Sequence, residues 1–190
     1  MQLILASSSP RRKELLKKAK IPFEQRTQHT DEKQVTGNTP EQLVKNIAIE
    51  KGNHVPILSD QEIILTADTV VTYENQVLGK PESVEHAYQI LTSLSGKTHT
   101  VMTAVLLKST KEEQLFIEKT IVEFWELTDE EIHEYIQTGD CFDKAGAYGI
   151  QSEGFAFVKK IHGDYYNVVG LPISRLIREL RPFAILPVST

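Results

Sequence analysis

The sequence predicts an α/β fold, a mixed β-sheet covered by helices, and three observations carry that expectation. Apolar strand runs alternate with capped helical repeats in the N-terminal half, β-branched runs joined by a short turn dominate the middle, and 40% of the 190 residues are apolar. The alternation asks for crossover connections and the joined runs for hairpins, so parallel and antiparallel strands should share one sheet. No internal repeat or low-complexity linker divides the chain, which reads as a single domain over residues 1–190; if it has two lobes, the long hairpin of residues 98–125 is where they join.

The elements follow from local chemistry. Leu3 to Ala6 is a short apolar run, the pattern of a strand buried on both faces. A helix follows with Ser9 as N-cap, Pro10 as first residue, and Leu15, Leu16 and Ala19 as its apolar stripe. Pro22-Phe23 restarts an extended segment. Thr39-Pro40-Glu41-Gln42 has the form of a capping box, predicting a second helix through Leu43, Ile47 and Ala48 to about Asn53. Glu62 to Ala67 and Val70 to Tyr73 read as strand, interrupted by Asp68-Thr69, with a turn at Glu74 to Gln76. Ser83 to Leu94 carries Ala87, Ile90, Leu91 and Leu94 at helical spacing and closes at Ser95-Gly96.

Thr98 to Lys108 and Leu115 to Trp125 form the long hairpin, with Lys111-Glu112-Glu113 at its tip. Thr128 to Glu131 is a second capping box, opening a helix that ends before Gly139. Phe155 to Lys159 and Tyr165 to Val169 flank Gly163 and predict a hairpin. Pro172 starts a last helix with Leu176, Ile177 and Leu180 on its inner face, and the tail beyond Pro182 is expected to be loose.

Charge and cysteine usage exclude several classes. With 21 Lys plus Arg against 26 Asp plus Glu, a net charge of -5, the chain lacks the broad basic face that nucleic-acid or membrane-surface binding needs. Any basic cluster must be local. The single cysteine, Cys141, excludes a disulfide framework and a thiolate metal cage and is expected to be an ordinary semi-buried residue. Met1 to Ala6 lacks the basic leader of a signal peptide, and no run approaches the roughly 20 apolar residues of a membrane span, so the expected location is the cytoplasm.

One local basic cluster stands out. In Ser7-Ser8-Ser9-Pro10-Arg11-Arg12 the arginines fall at the second and third helical positions, where the macrodipole is already positive and a cation costs a few tenths to about 1 kcal/mol. A strand end feeding a capped helix, with spare hydroxyls and two guanidinium forks, can hold a phosphate. The segment alone equally admits a plain cap with solvated arginines. Asp68 is a poor strand residue inside an apolar run, suited to a metal or to a proton from water, or else to a turn. Lys80 in Leu78-Gly79-Lys80-Pro81 sits in a tight turn from which it can reach phosphate. Asp31-Glu32-Lys33 and Glu50-Lys51 add carboxylates and a lysine that singly read as solvated charges.

Asp143 to Gln151 reads as a loop in which Gly146 and Gly149 permit close backbone approach to a ligand, and Gln151 could pair with a base edge; a simple turn is the other reading. Gly96-Lys97-Thr98 has the end of a P-loop, but Leu91 stands where its first glycine must be, and the helix precedes it. The six histidines have no spacing of a zinc site, and a G-x-S-x-G elbow is absent.

Taken in order, these segments resemble the Maf family of nucleoside triphosphate pyrophosphatases. The motifs are A-S-x-S-P-R-R at Ala6 to Arg12, A-D-T-V-V at Ala67 to Val71, G-K-P at Gly79 to Pro81, S-G-x-T-H-x-V-x-T-A-V at Ser95 to Val105, D-K-A-G-A-Y-G-I-Q at Asp143 to Gln151, and G-D-Y-Y-x-V-x-G-L-P at Gly163 to Pro172. The resemblance implies hydrolysis of a nucleoside triphosphate to monophosphate and pyrophosphate with a divalent cation, Mg²⁺ or Mn²⁺. It also implies two lobes with a cleft, similar to inosine triphosphate pyrophosphatase folds, and an association with inhibition of septum formation. Thr69 after the aspartate and the Gln151 loop look like the branch acting on dTTP and UTP.

On that resemblance Asp68 is the base or a metal ligand and Glu32 a second metal carboxylate, with Asp31 competing for the part. Arg12, Lys51 and Lys80 hold phosphates with Ser7 and Ser9, Arg11 less surely than Arg12; Thr69 and Gln151 read the pyrimidine. The expected partner is a small-molecule nucleotide, with a homodimer left open and neither nucleic acid nor membrane. The rival reading is a nucleotide-binding regulator of cell division that has no need to cleave; a phosphoryl transferase with another acceptor is disfavoured by the missing P-loop.

Overall fold

A computed structural model describes residues 1–27 and 34–188 of the chain. Its elements run β1 (Gln2–Leu5), α1 (Pro10–Lys18), β2 (Glu24–Gln25), α2 (Pro40–Asn53), β3 (Glu62–Tyr73), β4 (Gln76–Leu78), α3 (Val84–Leu94), β5 (Thr98–Lys108), β6 (Glu113–Phe124), α4 (Asp129–Gln137), β7 (Val158–His162), α5 (Tyr165–Val169) and α6 (Ile173–Glu179). The strands form one seven-stranded sheet in the order β2-β1-β3-β5-β6-β7, with β4 paired to β3. β1 is parallel to both β2 and β3, Leu3 standing opposite Ile63, whereas β4 on β3 and β7 on β6 are antiparallel. The sheet is therefore mixed and flanked by helices, as the alternation of patterns predicts.

The chain divides into two compact units: Met1–Asp68 with Thr103–Glu118 and Gly170–Thr190, and Thr69–Met102 with Lys119–Val169. It passes from one to the other inside β3, β5 and β6 and again between Val169 and Gly170, so two of the four passages fall in the long hairpin where a join was expected. The first unit is built on Leu3, Ile4, Leu5, Leu15, Leu16 and Ile63 to Leu65, all almost wholly buried. In the second, α3 packs on α4, and Phe124, Tyr135, Tyr148 and Phe157 stack edge to face.

Capping chemistry fixes the helix ends. Thr39 accepts from the Gln42 N–H at 3.1 Å, but the reciprocal half of the expected box is missing because the Gln42 amide bonds Asn46 instead. Both halves of the Thr128 and Glu131 box are formed. Glu74 and Asn75 both take positive φ, 50° and 63°, to turn β3 into β4.

Four expectations are corrected. β3 is continuous through Asp68-Thr69, since an ion pair with Lys51 lets the carboxylate stay inside a buried strand. The expected hairpin around Gly163 is instead β7 paired to β6, followed by the short helix α5. Asp164 Oδ1 accepts from the Tyr166 N–H at 2.8 Å, and Asn167 turns inward to bond the Val101 carbonyl and Thr120 Oγ1, which settles helix over strand. The tail is packed: Phe183 and Ile185 are buried, and the Val188 N–H bonds the Lys20 carbonyl at 2.9 Å. Cys141 is fully rather than partly buried. No helix among the described residues is long and apolar enough to cross a membrane.

Candidate active site

The first unit gathers Ser7, Ser9, Arg11, Arg12, Lys51 and Asp68. Ser9 stands at the N-cap of α1 in extended conformation with Pro10 behind it, yet its hydroxyl makes no capping bond; its N–H instead bonds Ser7 Oγ at 3.2 Å. Arg12 is not solvated. It is 9% exposed, and its guanidinium donates through Nε to the Gly170 carbonyl at 2.8 Å and through Nη1 to Ser7 Oγ at 3.3 Å. Both of these acceptors are neutral, so they aim the guanidinium without cancelling its charge. Gly170 holds φ 120°, a conformation closed to side-chain-bearing residues, and this is how the Gly-Leu-Pro segment presents its carbonyl to a residue far away in sequence. Arg11 is half-buried beside it.

Lys51 and Asp68 meet through the packing of α2 on β3. Thr66 Oγ1 donates to the Ala48 carbonyl at 2.6 Å. Gly52 lets the helix lie close, since a Cβ there would stand 2.6 Å from Leu106 Cδ2. The result is Lys51 Nζ donating to Asp68 Oδ1 at 2.7 Å, with side chains only 17% and 12% exposed. A carboxylate held at one oxygen by a point charge keeps lone pairs for a proton or a cation.

Thr69, Lys80 and Gln151 lie in the second unit. Thr69 is half-buried on β3, and Lys80 and Gln151 are exposed. The glycines of the Asp143 to Gln151 segment do not make room for a ligand, as their sequence suggested; the chain itself fills the space. Gly146, at φ 72°, packs on Val71, where a Cβ would stand 2.9 Å from its methyl carbons, and donates its N–H to the Gly79 carbonyl at 3.1 Å. Gly149 packs on Lys144 and donates to Tyr135 Oη at 3.0 Å. Tyr148, buried, hydrogen-bonds His99 Nε2 at 2.9 Å, and burial pulls the His99 pKa down to about 4, leaving it neutral.

Glu32 and its competitor Asp31 lie outside the described residues. Among the described residues no group of three or more His, Cys, Asp or Glu is placed to hold a metal ion. Sequence reading missed Gly170, Tyr135 and Asp140. Only the position of Gly170 in the G-L-P motif offered a signal.

The chain matches the family described as Maf-like protein over residues 2–183. It is 48% identical over 184 residues to a dTTP/UTP pyrophosphatase of Bacillus cereus strain ATCC 14579, covering 97% of this chain and 96% of that one. A protein of the same name from Bacillus cytotoxicus is 50% identical over 182 residues, 96% and 95% of the two chains. One from Geobacillus sp. strain WCH70 is 50% identical over 180 residues, 95% and 97%.

Proposed function

The chain belongs to the Maf-like protein family, and from that membership we propose that it hydrolyses dTTP and UTP to the monophosphate and pyrophosphate. The observation that carries this reading is near-half identity, over almost the whole of both chains, to relatives named for that activity. The geometry of the first unit supports it with a buried, aimed guanidinium and a carboxylate that is engaged at one point.

In the reaction, water attacks the α-phosphorus, the bond to the bridging oxygen breaks, and pyrophosphate leaves with that oxygen. The chemistry is chiefly positioning and charge neutralisation. Asp68 takes the proton from the attacking water or shares in cation binding. Arg12 and Lys51 meet phosphate oxygens, with Ser7, Ser9, Arg11 and the N–H groups at the start of α1 adding donors. Lys80 adds a further cation, and Thr69 and Gln151 read the pyrimidine. In the 2.7 Å pair Lys51 must divide its charge between Asp68 and the substrate, so nucleotide binding loosens its hold on the carboxylate.

A divalent cation, Mg²⁺ or Mn²⁺, supplies charge neutralisation on the triphosphate when bound. The donor chemistry fits: Asp68 offers hard carboxylate oxygen, and such cations complete their shell from substrate phosphates and water rather than from an all-protein cage. Asp68 would hold it, with Glu32 as the second carboxylate.

Incubation with each nucleotide and Mg²⁺ or Mn²⁺, followed by product identification, tests the reading. Monophosphate and pyrophosphate are expected. A diphosphate with inorganic phosphate would place cleavage elsewhere, and tight binding without any product would make the protein a nucleotide-responsive regulator.

A further inference from the structure

The second unit contains a hydrogen-bond hub that the proposed reaction leaves unused. The Asp140 carboxylate accepts from Tyr135 Oη at 2.7 Å, from Lys144 Nζ at 2.9 Å and from Ser152 Oγ. With its O–H donated to Asp140, Tyr135 uses a lone pair on the same oxygen to accept the Gly149 N–H at 3.0 Å. Lys144 also donates to the Asp140 carbonyl and to Asp143 Oδ1, both at 2.6 Å.

The arrangement brackets two residues, one of them Gln151. Gly149 and Ser152 lie on either side of Ile150-Gln151, and both are tied to the same carboxylate, Ser152 directly and Gly149 through Tyr135. Packing closes the frame: a Cβ on Gly149 would stand 2.5 Å from Lys144 Cε, and one on Gly154 would stand 2.8 Å from the Gly149 backbone. Only an ionised carboxylate accepts from three donors at once and offers none of its own. Burial pulls the Asp140 pKa up, but the bonds from Ser152, Lys144 and Tyr135 outweigh it and hold the group below the usual carboxylate range.

We propose that Asp140 is a positioning residue for pyrimidine recognition: through Tyr135 and Ser152 it fixes the Gly149 to Ser152 turn, so that Gln151 presents its amide in one orientation. This rests on the reading that Gln151 meets the base. The chemistry makes orientation decisive. Uracil and thymine present a carbonyl acceptor beside a ring N–H donor, and cytosine presents an amino donor beside a ring acceptor. One glutamine amide satisfies the first pattern, and the same amide turned over satisfies the second. A turn held at both ends fixes where the Gln151 amide stands against the base edge, so that one of the two patterns is met in register, and a loosened turn lets the amide shift between them.

The test compares kcat and KM for dTTP and dCTP in wild type, Asp140→Asn, Gln151→Ala and the double variant, with thermal melts of each. Asp140→Asn is expected to lower the dTTP-to-dCTP ratio of kcat/KM about tenfold, chiefly through KM for dTTP, with kcat within about twofold. Ser152→Ala, which leaves the bonds of Tyr135 and Lys144 in place, should move the ratio the same way by less and serves if Asp140→Asn folds poorly. In the Gln151→Ala background Asp140→Asn should change the ratio no further. An unchanged ratio in Asp140→Asn and Ser152→Ala beside a lowered one in Gln151→Ala overturns the positioning role alone. An equal drop with and without Gln151 does the same. An unchanged ratio in Gln151→Ala overturns the base reading, and the inference falls with it.

Discussion

Two buried ion pairs are anchored on β3, and they are built differently. At its start Glu62 is saturated: Arg26 reaches its two oxygens at 2.9 and 2.7 Å, and the Leu58 N–H adds a third bond at 2.8 Å. Further along, Asp68 is engaged by Lys51 at Oδ1 alone among the described residues. The Arg26 hydrogen bonds pull the Glu62 pKa down to about 2, against the opposing effect of its burial. A planar fork spends a carboxylate's lone pairs on structure, and an ammonium at one oxygen leaves some of them for chemistry. The first pair ties the chain after β2 to the root of β3. The second is what the proposed mechanism needs.

The difference is tested most severely at Asp68. Asp68→Asn should cut pyrophosphate release by 10²- to 10⁴-fold, about 3 to 5 kcal/mol in barrier, while circular dichroism shows the fold intact. Turnover like wild type would remove Asp68 from the reaction. Lys51→Arg sharpens the contrast by offering Asp68 the fork that Glu62 already has. It should lower kcat about tenfold at an unchanged or raised melting temperature, because the carboxylate becomes better satisfied and less available.

A third polar pair, His99 with Tyr148, adds an acid-labile centre of another kind. Burial holds His99 at about 4, below the ordinary histidine value of 6.5. The unfolded chain therefore binds a proton in that interval that the folded chain refuses, and stability falls as pH drops from 6.5 toward 4. The loss is on the order of 3 kcal/mol. Denaturant melts of His99→Gln, which keeps a partner for Tyr148 and does not titrate, should show that limb flattened. A limb of unchanged steepness would mean that other groups carry it.

Legibility in the sequence followed the range of the interaction. The β1 run, the caps at Thr39 and Thr128, and the last helix are written in neighbouring residues, and each forms where its pattern predicts, although Ser9 stands at its N-cap position without the capping bond. The break expected at Asp68-Thr69 does not form, because its remedy lies on another element, at Lys51. Tyr165 to Val169 has strand composition but folds as helix, through bonds from Asn167 to Thr120 and Val101 that no local pattern encodes. The candidate site divides in the same way. Arg12 and Asp68 were visible as anomalies of charge in dipole-unfavourable or apolar places, whereas Lys51 read singly as a solvated charge and came only with the family resemblance. Gly170, which orients Arg12, and Asp140, which frames Gln151, act through partners distant in sequence or through a relay, and composition carries no trace of either.

The smallest expected effect concerns the saturated pair and decides whether saturation is structural. Glu62 ionises below its ordinary value of 4.5, at about 2, so its contribution to stability is complete above pH 4.5 and is lost as pH falls toward 2. That interval overlaps the one assigned to His99 only near pH 4, which lets the two limbs be separated in one titration of stability against pH. Glu62→Gln should remove the lower limb, leave the upper one, and cost about 1 to 3 kcal/mol at neutral pH, with kcat and KM within about twofold of wild type. Because Glu62 and Asp68 share a strand, a large loss of kcat in Glu62→Gln would show that the two pairs are coupled along β3. The contrast between a structural and a chemical carboxylate would then fail.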